Sequence, residues 1–174
     1  KPTGDVLLFD DDGTHSAMTT AELIARSGAR LEIVTPERTL GVDVGGMNHV
    51  PYARAFNESD TRVTLNQRVR SVRRDGGRLV VELGSDHTDH RTTRTVDQVV
   101  VDHGVLANDE LYHSLVELST NGGELDHDAL LAGRPQAIVR RAEGRFQLFR
   151  IGDAVAGRNV HAAIHDALRL CKDL

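Results

Sequence analysis

Residues 5–14 read DVLLFDDDGT, a short apolar run that ends in acids and a turn. An apolar run of this length, bounded by turn residues, predicts a buried strand. Helical spacing of apolar residues follows from Ala17 to Ala25, and Gly28 ends the predicted helix. A second apolar run, LEIV, occupies residues 31–34. Strand, helix and strand in this order predict a right-handed βαβ unit and a parallel sheet.

The rest of the chain adds further elements of both kinds. Two alternating runs flank an Asp-Gly-Gly turn and predict an antiparallel hairpin. The polar stretch after the hairpin is expected to be a solvated turn. The predicted elements are a helix at 48–58, strands at 63–65, 69–74, 78–83, 96–101 and 146–151, the solvated turn at 85–95, and helices at 109–118 and 160–170. The pattern predicts an α/β chain with one antiparallel insertion.

Composition excludes several classes of protein and partner. Hydrophobic residues at 39% and charged residues at 27% of 174 residues indicate a globular chain rather than a disordered one. A net charge of −5 and 3% aromatic residues argue against a nucleic-acid partner. The single cysteine, Cys171, cannot hold an iron–sulfur cluster or a zinc ribbon alone. No apolar run approaches the ~18 residues of a membrane span, so no membrane partner and a cytoplasmic location are expected.

The acids of the opening stretch allow two interpretations. In the first, Asp10 and Asp12 match the Asp-x-Asp-Gly-Thr signature of haloacid dehalogenase-like phosphatases. Asp10 would then be the nucleophile and Asp12 the general acid and base, with a bound Mg²⁺. That chemistry needs a cation beside the transferring phosphoryl group, and a lysine provides it in that superfamily. This chain has no lysine from residue 2 to residue 171. The phosphatase therefore stays the alternative function.

The second interpretation is a dinucleotide-binding turn that has lost its glycines. Counted back from Gly28, the three glycine positions of G-x-G-x-x-G fall on Asp12, Thr14 and Ala17. A carboxylate and a branched hydroxyl at the first two positions keep the backbone away from a pyrophosphate, and Asp12 repels it. Asp11 or Asp12 is expected to serve instead as an internal anion at the helix N-terminus.

Two later motifs resemble those of two-dinucleotide flavoproteins. Their strand-to-glycine crossover resembles the VVVDHG run that ends at Gly104. Their late Gly-Asp motif, in which the Asp receives a ribityl hydroxyl of a flavin, resembles Gly152, Asp153 and Ala154. The helix after this motif points its N-terminus at a pyrophosphate in such proteins. The alternative role for Asp153 is a cap for the helix that begins near Gly157.

Taken together, the chain resembles the C-terminal region of the trimethylamine dehydrogenase-like family, the amine dehydrogenase and demethylase branch of the old yellow enzyme-related NADH:flavin oxidoreductases. The resemblance implies a Rossmann-like, FAD/NAD(P)-binding type of three-layer fold with the antiparallel insertion. It implies a nicotinamide-nucleotide-like domain with a degenerate glycine turn at residues 1–104. Residues 105–174 are then the returning C-terminal part of the flavin- or ADP-binding domain.

The resemblance also implies cofactors and partners outside this chain. Full-length members carry an N-terminal (β/α)₈ barrel with FMN and a [4Fe–4S] cluster, and FAD or ADP in the C-terminal half. The chain is then expected to be a fragment that supports a cofactor and has that barrel as its partner. It is expected to hold no catalytic residue and no metal ligand of its own. The Arg-rich run of Arg68, Arg70, Arg73 and Arg74 is expected to be a solvated sheet face. Docking of an acidic electron-acceptor flavoprotein is the alternative role of that run.

Overall fold

The opening stretch forms the central strand of a four-stranded parallel sheet in the computed structural model, which describes residues 2–172. This first unit ends at Gly104. Its elements are β1 (Asp5–Asp10), α1 (His15–Arg26), β2 (Arg30–Val34), α2 (Gly46–Glu58), β3 (Arg62–Thr64), β4 (Arg68–Asp75), β5 (Arg78–Gly84), β6 (Arg91–Val96) and β7 (Gln98–Asp102). The parallel sheet has the order β3-β2-β1-β7. The predicted βαβ unit is therefore confirmed.

The interior of β1, residues 6–9, is apolar because both faces of the strand are covered. Val6 and Leu8 face α1 and α2, where they join a core with Ile24 and Phe56. Leu7 and Phe9 belong to a second core on the opposite face, which they share with residues of β5 and β6. Helices, parallel sheet and antiparallel sheet make the three layers of the predicted Rossmann-like fold, and that prediction is confirmed.

The antiparallel sheet has the order β4-β5-β6 and contains one strand that the sequence did not predict. Residues 85–95 were expected to be a solvated turn, but β6 begins at Arg91 and pairs with β5 from Gly84 to Leu79. Its polar residues are accommodated because alternate side chains point away from the core. The inward Arg94 is satisfied by Glu32, with 2.8 Å between Nε and Oε2. The strand predicted at residues 96–101 is likewise two strands, β6 and β7, separated by Asp97.

Residues 105–174 form a second compact unit built from short helices. They comprise α3 (Glu110–Leu115), a 3₁₀ turn (Val116–Leu118), α4 (His127–Leu131), a second 3₁₀ turn (Gly152–Ala154) and α5 (Val160–Cys171). Among the described residues of either unit, no helix has both the length and the apolar character needed to cross a membrane.

The strand predicted at residues 146–151 is wrong. A strand needs a neighbouring strand for its backbone groups, and this segment makes only an isolated parallel bridge between Ser119 and Phe146. Hydrogen bonds of the buried Asn121 side-chain amide replace the backbone hydrogen bonds that a neighbouring strand would provide. Its Nδ2 donates to the carbonyl oxygens of Glu124 and Leu148, and its Oδ1 accepts the Leu148 N–H, each at 2.8 Å. Asn121 thus holds the segment that leads to the Gly152–Ala154 turn.

Candidate functional site

The carboxyl ends of the parallel strands form the candidate site of the first unit. Ligands of open α/β sheets bind at this edge, where neighbouring strands connect in opposite directions. In the order β3-β2-β1-β7, that switch point lies between β1 and β7. β1 ends at Asp10 and β7 at Asp102, and the two residues are register partners. A dinucleotide in a fold of this type would therefore meet two carboxylates.

The turn after β1 is closed by its own acid. Oδ1 of Asp10 accepts the N–H of Asp12 at 3.2 Å and the N–H of Gly13 at 2.7 Å. Two donors of the turn are thus already used by a carboxyl group of the chain itself. The residue is not the expected one. Asp11 or Asp12 was predicted for this role, but Asp10, the last residue of the buried strand, accepts the N–H groups of the turn that follows it.

The residues at the three lost glycine positions also fill the turn. Thr14 Oγ1 donates to Oδ2 of Asp12 at 2.7 Å. Ala17 is buried in the helix-side core, where its small side chain permits close packing. Gly104 faces the same place, since a Cβ built on it would lie 2.6 Å from Oδ1 of Asp12. The structure thus brings Asp12, Thr14 and Gly104 together, and it gives Gly104 a reason to be glycine that involves no cofactor.

Asp11 connects this edge to the antiparallel sheet. Its carboxylate accepts from Arg68 at 2.5 Å and lies 3.1 Å from Nδ1 of His103. The His103 ring packs edge-on against Phe9, with centroids 5.6 Å apart. Arg68 also binds Asp86, and the Arg68 guanidinium is the largest cause that lowers the pKa of that carboxyl. The positive charge of Arg68, the first arginine of the Arg-rich run, is thus balanced by Asp11 and Asp86.

Burial dominates the electrostatics of Asp10, which is fully inaccessible to solvent. Burial raises the pKa of Asp10 above its usual range, and the two turn N–H donors oppose this only in part. The nearby charges of Asp102 and Asp12 raise that pKa further. Sequence reasoning missed Asp102 as a member of the site. The register of β1 against β7 was needed to bring it beside Asp10.

The second unit holds the other predicted site residues. Gly152 is buried with φ of 58°, and its N–H donates to Oδ2 of Asp166 at 3.1 Å. Asp153 is exposed, and its carboxylate has no hydrogen-bond partner in the described part of the chain. The cap of α5 is Asn159, whose Oδ1 accepts the N–H of Ala162 at 2.9 Å. The alternative role of Asp153 as that cap is therefore wrong, and its carboxylate is free to accept from a hydroxyl.

No group of three or more His, Cys, Asp or Glu side chains within residues 2–172 is arranged to hold a metal ion. The phosphatase alternative gains nothing from the geometry either. A nucleophile must reach its substrate, whereas Asp10 is completely buried and occupied by the turn.

Comparison with known proteins decides the family. The family described as flavin containing amine oxidoreductase matches residues 3–119. The chain belongs to this family. A probable N-methylproline demethylase of Rhizobium meliloti (strain 1021) is 52% identical over all of this chain, which spans 26% of that relative. An N,N-dimethylglycine/sarcosine dehydrogenase of Chromohalobacter salexigens is 40% identical to the chain. The match covers 99% of this chain and 26% of that dehydrogenase.

The solved structures agree with the fold of this flavoprotein-family chain. Histamine dehydrogenase from Rhizobium sp. 4-9 matches 95% of the chain with a TM-score of 0.63 and 21% identity, and the match spans 22% of that enzyme. The family match and the curated relatives confirm the predicted relationship to flavin amine oxidoreductases and demethylases. The chain spans about a quarter of the length of the curated relatives it matches.

Proposed function

We propose that this chain is the dinucleotide-binding-like part of a longer flavin-dependent amine dehydrogenase or N-demethylase. In this proposal, residues 1–104 are a Rossmann-like scaffold that binds no pyridine nucleotide. Residues 105–174 support a flavin or ADP. The observation that carries the proposal is the Asp10 carboxylate, which takes two N–H groups of the turn where a pyrophosphate would otherwise bind.

Binding of a pyridine nucleotide is the direct test of the scaffold role. NADH and NADPH are titrated separately against the 174-residue chain by calorimetry. We expect no saturable binding, because the carboxylate of Asp12 repels phosphate and Asp10 occupies the turn donors. Saturable micromolar binding of either nucleotide would overturn the scaffold role and leave the family membership untouched.

The residues of the second unit fit a flavin in the manner that the family resemblance implies. Asp153 offers a free carboxylate, and the buried backbone of Gly152 before it packs against Ala163 of α5. α5 begins a few residues later, and the N–H groups of a helix start favour an anion such as a pyrophosphate. A bound flavin would supply the electron acceptor for amine oxidation. In this proposal Asp153 holds a ribityl hydroxyl and takes no part in the chemistry.

The second unit also offers a surface for the rest of such a polypeptide. Val160, Ile164 and Leu168 lie four residues apart on α5 and are 65%, 54% and 66% exposed. An apolar stripe of this spacing is typical of a helix that packs on a neighbour. We assign this face to the remaining part of the flavin domain, in the same polypeptide as the FMN and [4Fe–4S] barrel. The short share of the relatives that this chain spans supports that assignment.

The substrate class follows from the relatives. The names of both curated relatives describe action on N-methylated amino acids: N-methylproline in one case, N,N-dimethylglycine and sarcosine in the other. The proposed enzyme therefore oxidises an N-methylated amino acid in the cytoplasm and passes the electrons to an acceptor flavoprotein.

The test mixes the longer natural protein with each of these three compounds without oxygen and records the flavin absorbance. Loss of the oxidised-flavin band with at least one of them is expected, and proline or glycine is the unmethylated control. An unchanged band with all three would contradict the substrate class.

A further inference from the structure

Two acids stand side by side at the end of the parallel sheet, Asp10 fully buried and Asp102 partly buried. Asp10 and Asp102 are register partners on β1 and β7. They continue the rows of Leu8 and Val100, which face the helix layer. Each uses one oxygen to hold a bend: Asp10 Oδ1 accepts the N–H of Gly13, and Asp102 Oδ1 accepts the N–H of Gly104 at 3.0 Å. The second oxygen of each, Oδ2, is buried and has no hydrogen-bond partner in the described part of the chain.

The surroundings supply these two acids with no cation. Within residues 2–172, neither Asp10 nor Asp102 forms an ion pair, because the nearby Arg68 and His103 both bind Asp11. Asp12, two residues after Asp10, adds a further negative charge.

The other elements around the turn do not change this balance. His15 at the start of α1 binds the hydroxyl of Tyr52, and Asp43, whose N–H donates to the Gly13 carbonyl, is acidic. An unpaired carboxylate in a dry site is costly, and two adjacent ones repel each other. A neutralising charge must therefore come from outside the side chains of this edge, and the smallest such charge is a proton.

We infer that Asp10 and Asp102 together form a proton-binding site at this edge, in which the fully buried Asp10 holds a proton. The proton neutralises that carboxyl and removes the repulsion between the pair. Loss of this proton restores the repulsion beside the bends at Gly13 and at Gly104. The site is independent of the proposed flavin chemistry.

The direction of the pH effect follows from the raised pKa of Asp10. A group whose pKa is raised by folding contributes stability that is fully present below its unfolded pKa. That contribution is lost as the pH rises through the folded pKa. The folded chain should therefore lose stability as the pH rises from about 4, the unfolded pKa of an aspartate, through the raised pKa of Asp10.

The test measures urea unfolding across this pH range for the wild type, Asp10→Asn and a control, Asp89→Asn. Asn keeps an oxygen for the turn N–H groups and places an uncharged amide at the buried position. The expected result is that Asp10→Asn removes most of the loss of stability at high pH, whereas Asp89→Asn follows the wild type, since Asp89 is exposed. Asp102→Asn serves as the second variant if Asp10→Asn does not fold.

Infrared spectroscopy observes the proton itself. At a pH where exposed carboxylates are ionised, the wild type should show the carbonyl band of a protonated carboxylic acid, and Asp10→Asn should lack it. Asp102→Asn should keep the band but lose it at a lower pH, because burial still raises the pKa of Asp10 while the repulsion from Asp102 is removed. Absence of that band in the wild type, or the same pH dependence in all variants, would overturn the inference. A pH dependence that disappears when Na⁺, K⁺ or Mg²⁺ is added would also overturn it, because a cation would then be the occupant.

Discussion

Replacing Asn121 by alanine should release the segment that leads to the candidate cofactor residues. The side chain is almost fully buried and makes three hydrogen bonds, two to Leu148 and one to Glu124. Alanine leaves three backbone groups without these partners, and each buried orphan costs about 1–3 kcal/mol. Because water reaches some of them after the change, we expect a loss of about 3–5 kcal/mol in the free energy of unfolding of the second unit.

Hydrogen exchange at the Leu148 amide measures this loss locally. That amide donates to Oδ1 of Asn121 at 2.8 Å. A loss of about 3 kcal/mol corresponds to more than a hundredfold faster exchange when exchange follows local opening. Asn108→Ala is the matched control in the same unit, because Asn108 is exposed. An Asn121→Ala variant with a change below about 0.5 kcal/mol and an unchanged Leu148 amide would refute the reasoning.

Three further predictions concern a glycine, an acid and a helix cap. Gly104→Ala should cost about 2–4 kcal/mol in thermal or urea unfolding, because the new Cβ would lie 2.6 Å from Asp12 Oδ1 at a φ of +80°. Arg30→Met should move acid unfolding to higher pH, because the hydrogen bond from Arg30 is the largest cause that lowers the pKa of Asp5. A lowered pKa gives stability that is lost as the pH falls through it. Asn159→Ala should cost about 1 kcal/mol and speed hydrogen exchange in the first turn of α5.

Control variants separate these causes. Gly76→Ala also has a positive φ, 60°, but its Cβ would meet open space, so Gly104→Ala should cost clearly more. Equal costs would contradict the contact with Asp12. Arg54→Met removes an exposed arginine from α2 and should leave the acid midpoint unchanged. If it moves the midpoint as far as Arg30→Met does, the effect comes from net charge instead of the pair with Asp5. An unchanged first turn of α5 in Asn159→Ala would exclude the cap.

Local patterns were sufficient to predict the centre of the fold. Three elements are adjacent in sequence: the apolar run of β1, the helix that ends before Gly28 and the second apolar run at 31–34. The apolar pattern of each one predicts the face that it buries. β6 was missed because its residues are polar, and only its pairing with β5 and the Arg94–Glu32 contact make it a strand. The segment at 146–151 shows the reverse case, since an apolar run without a neighbouring strand does not become one.

The candidate site was predictable only in part, because its geometry depends on residues distant in sequence. The degenerate turn indicated that a nucleotide is not expected at Asp12 and Thr14. Asp10 accepts the N–H groups of the turn because the strand ends at this residue. Asp102 lies beside Asp10 because of the register of β7 against β1. His103 had no interpretation in the sequence, because its partner Asp11 is 92 positions away.

In the proposed function, residues 105–174 support a flavin or ADP through Asp153 in a longer amine oxidoreductase. The most direct measurement is the FAD and ADP released per polypeptide when the longer natural protein is denatured. We compare the wild type with Asp153→Ala and with Asp128→Ala, an exposed acid of α4 in the same unit. The account predicts bound FAD or ADP in the wild type and Asp128→Ala, and a strongly reduced content in Asp153→Ala. Neither nucleotide in the wild type, or an equal content in all three proteins, would contradict it.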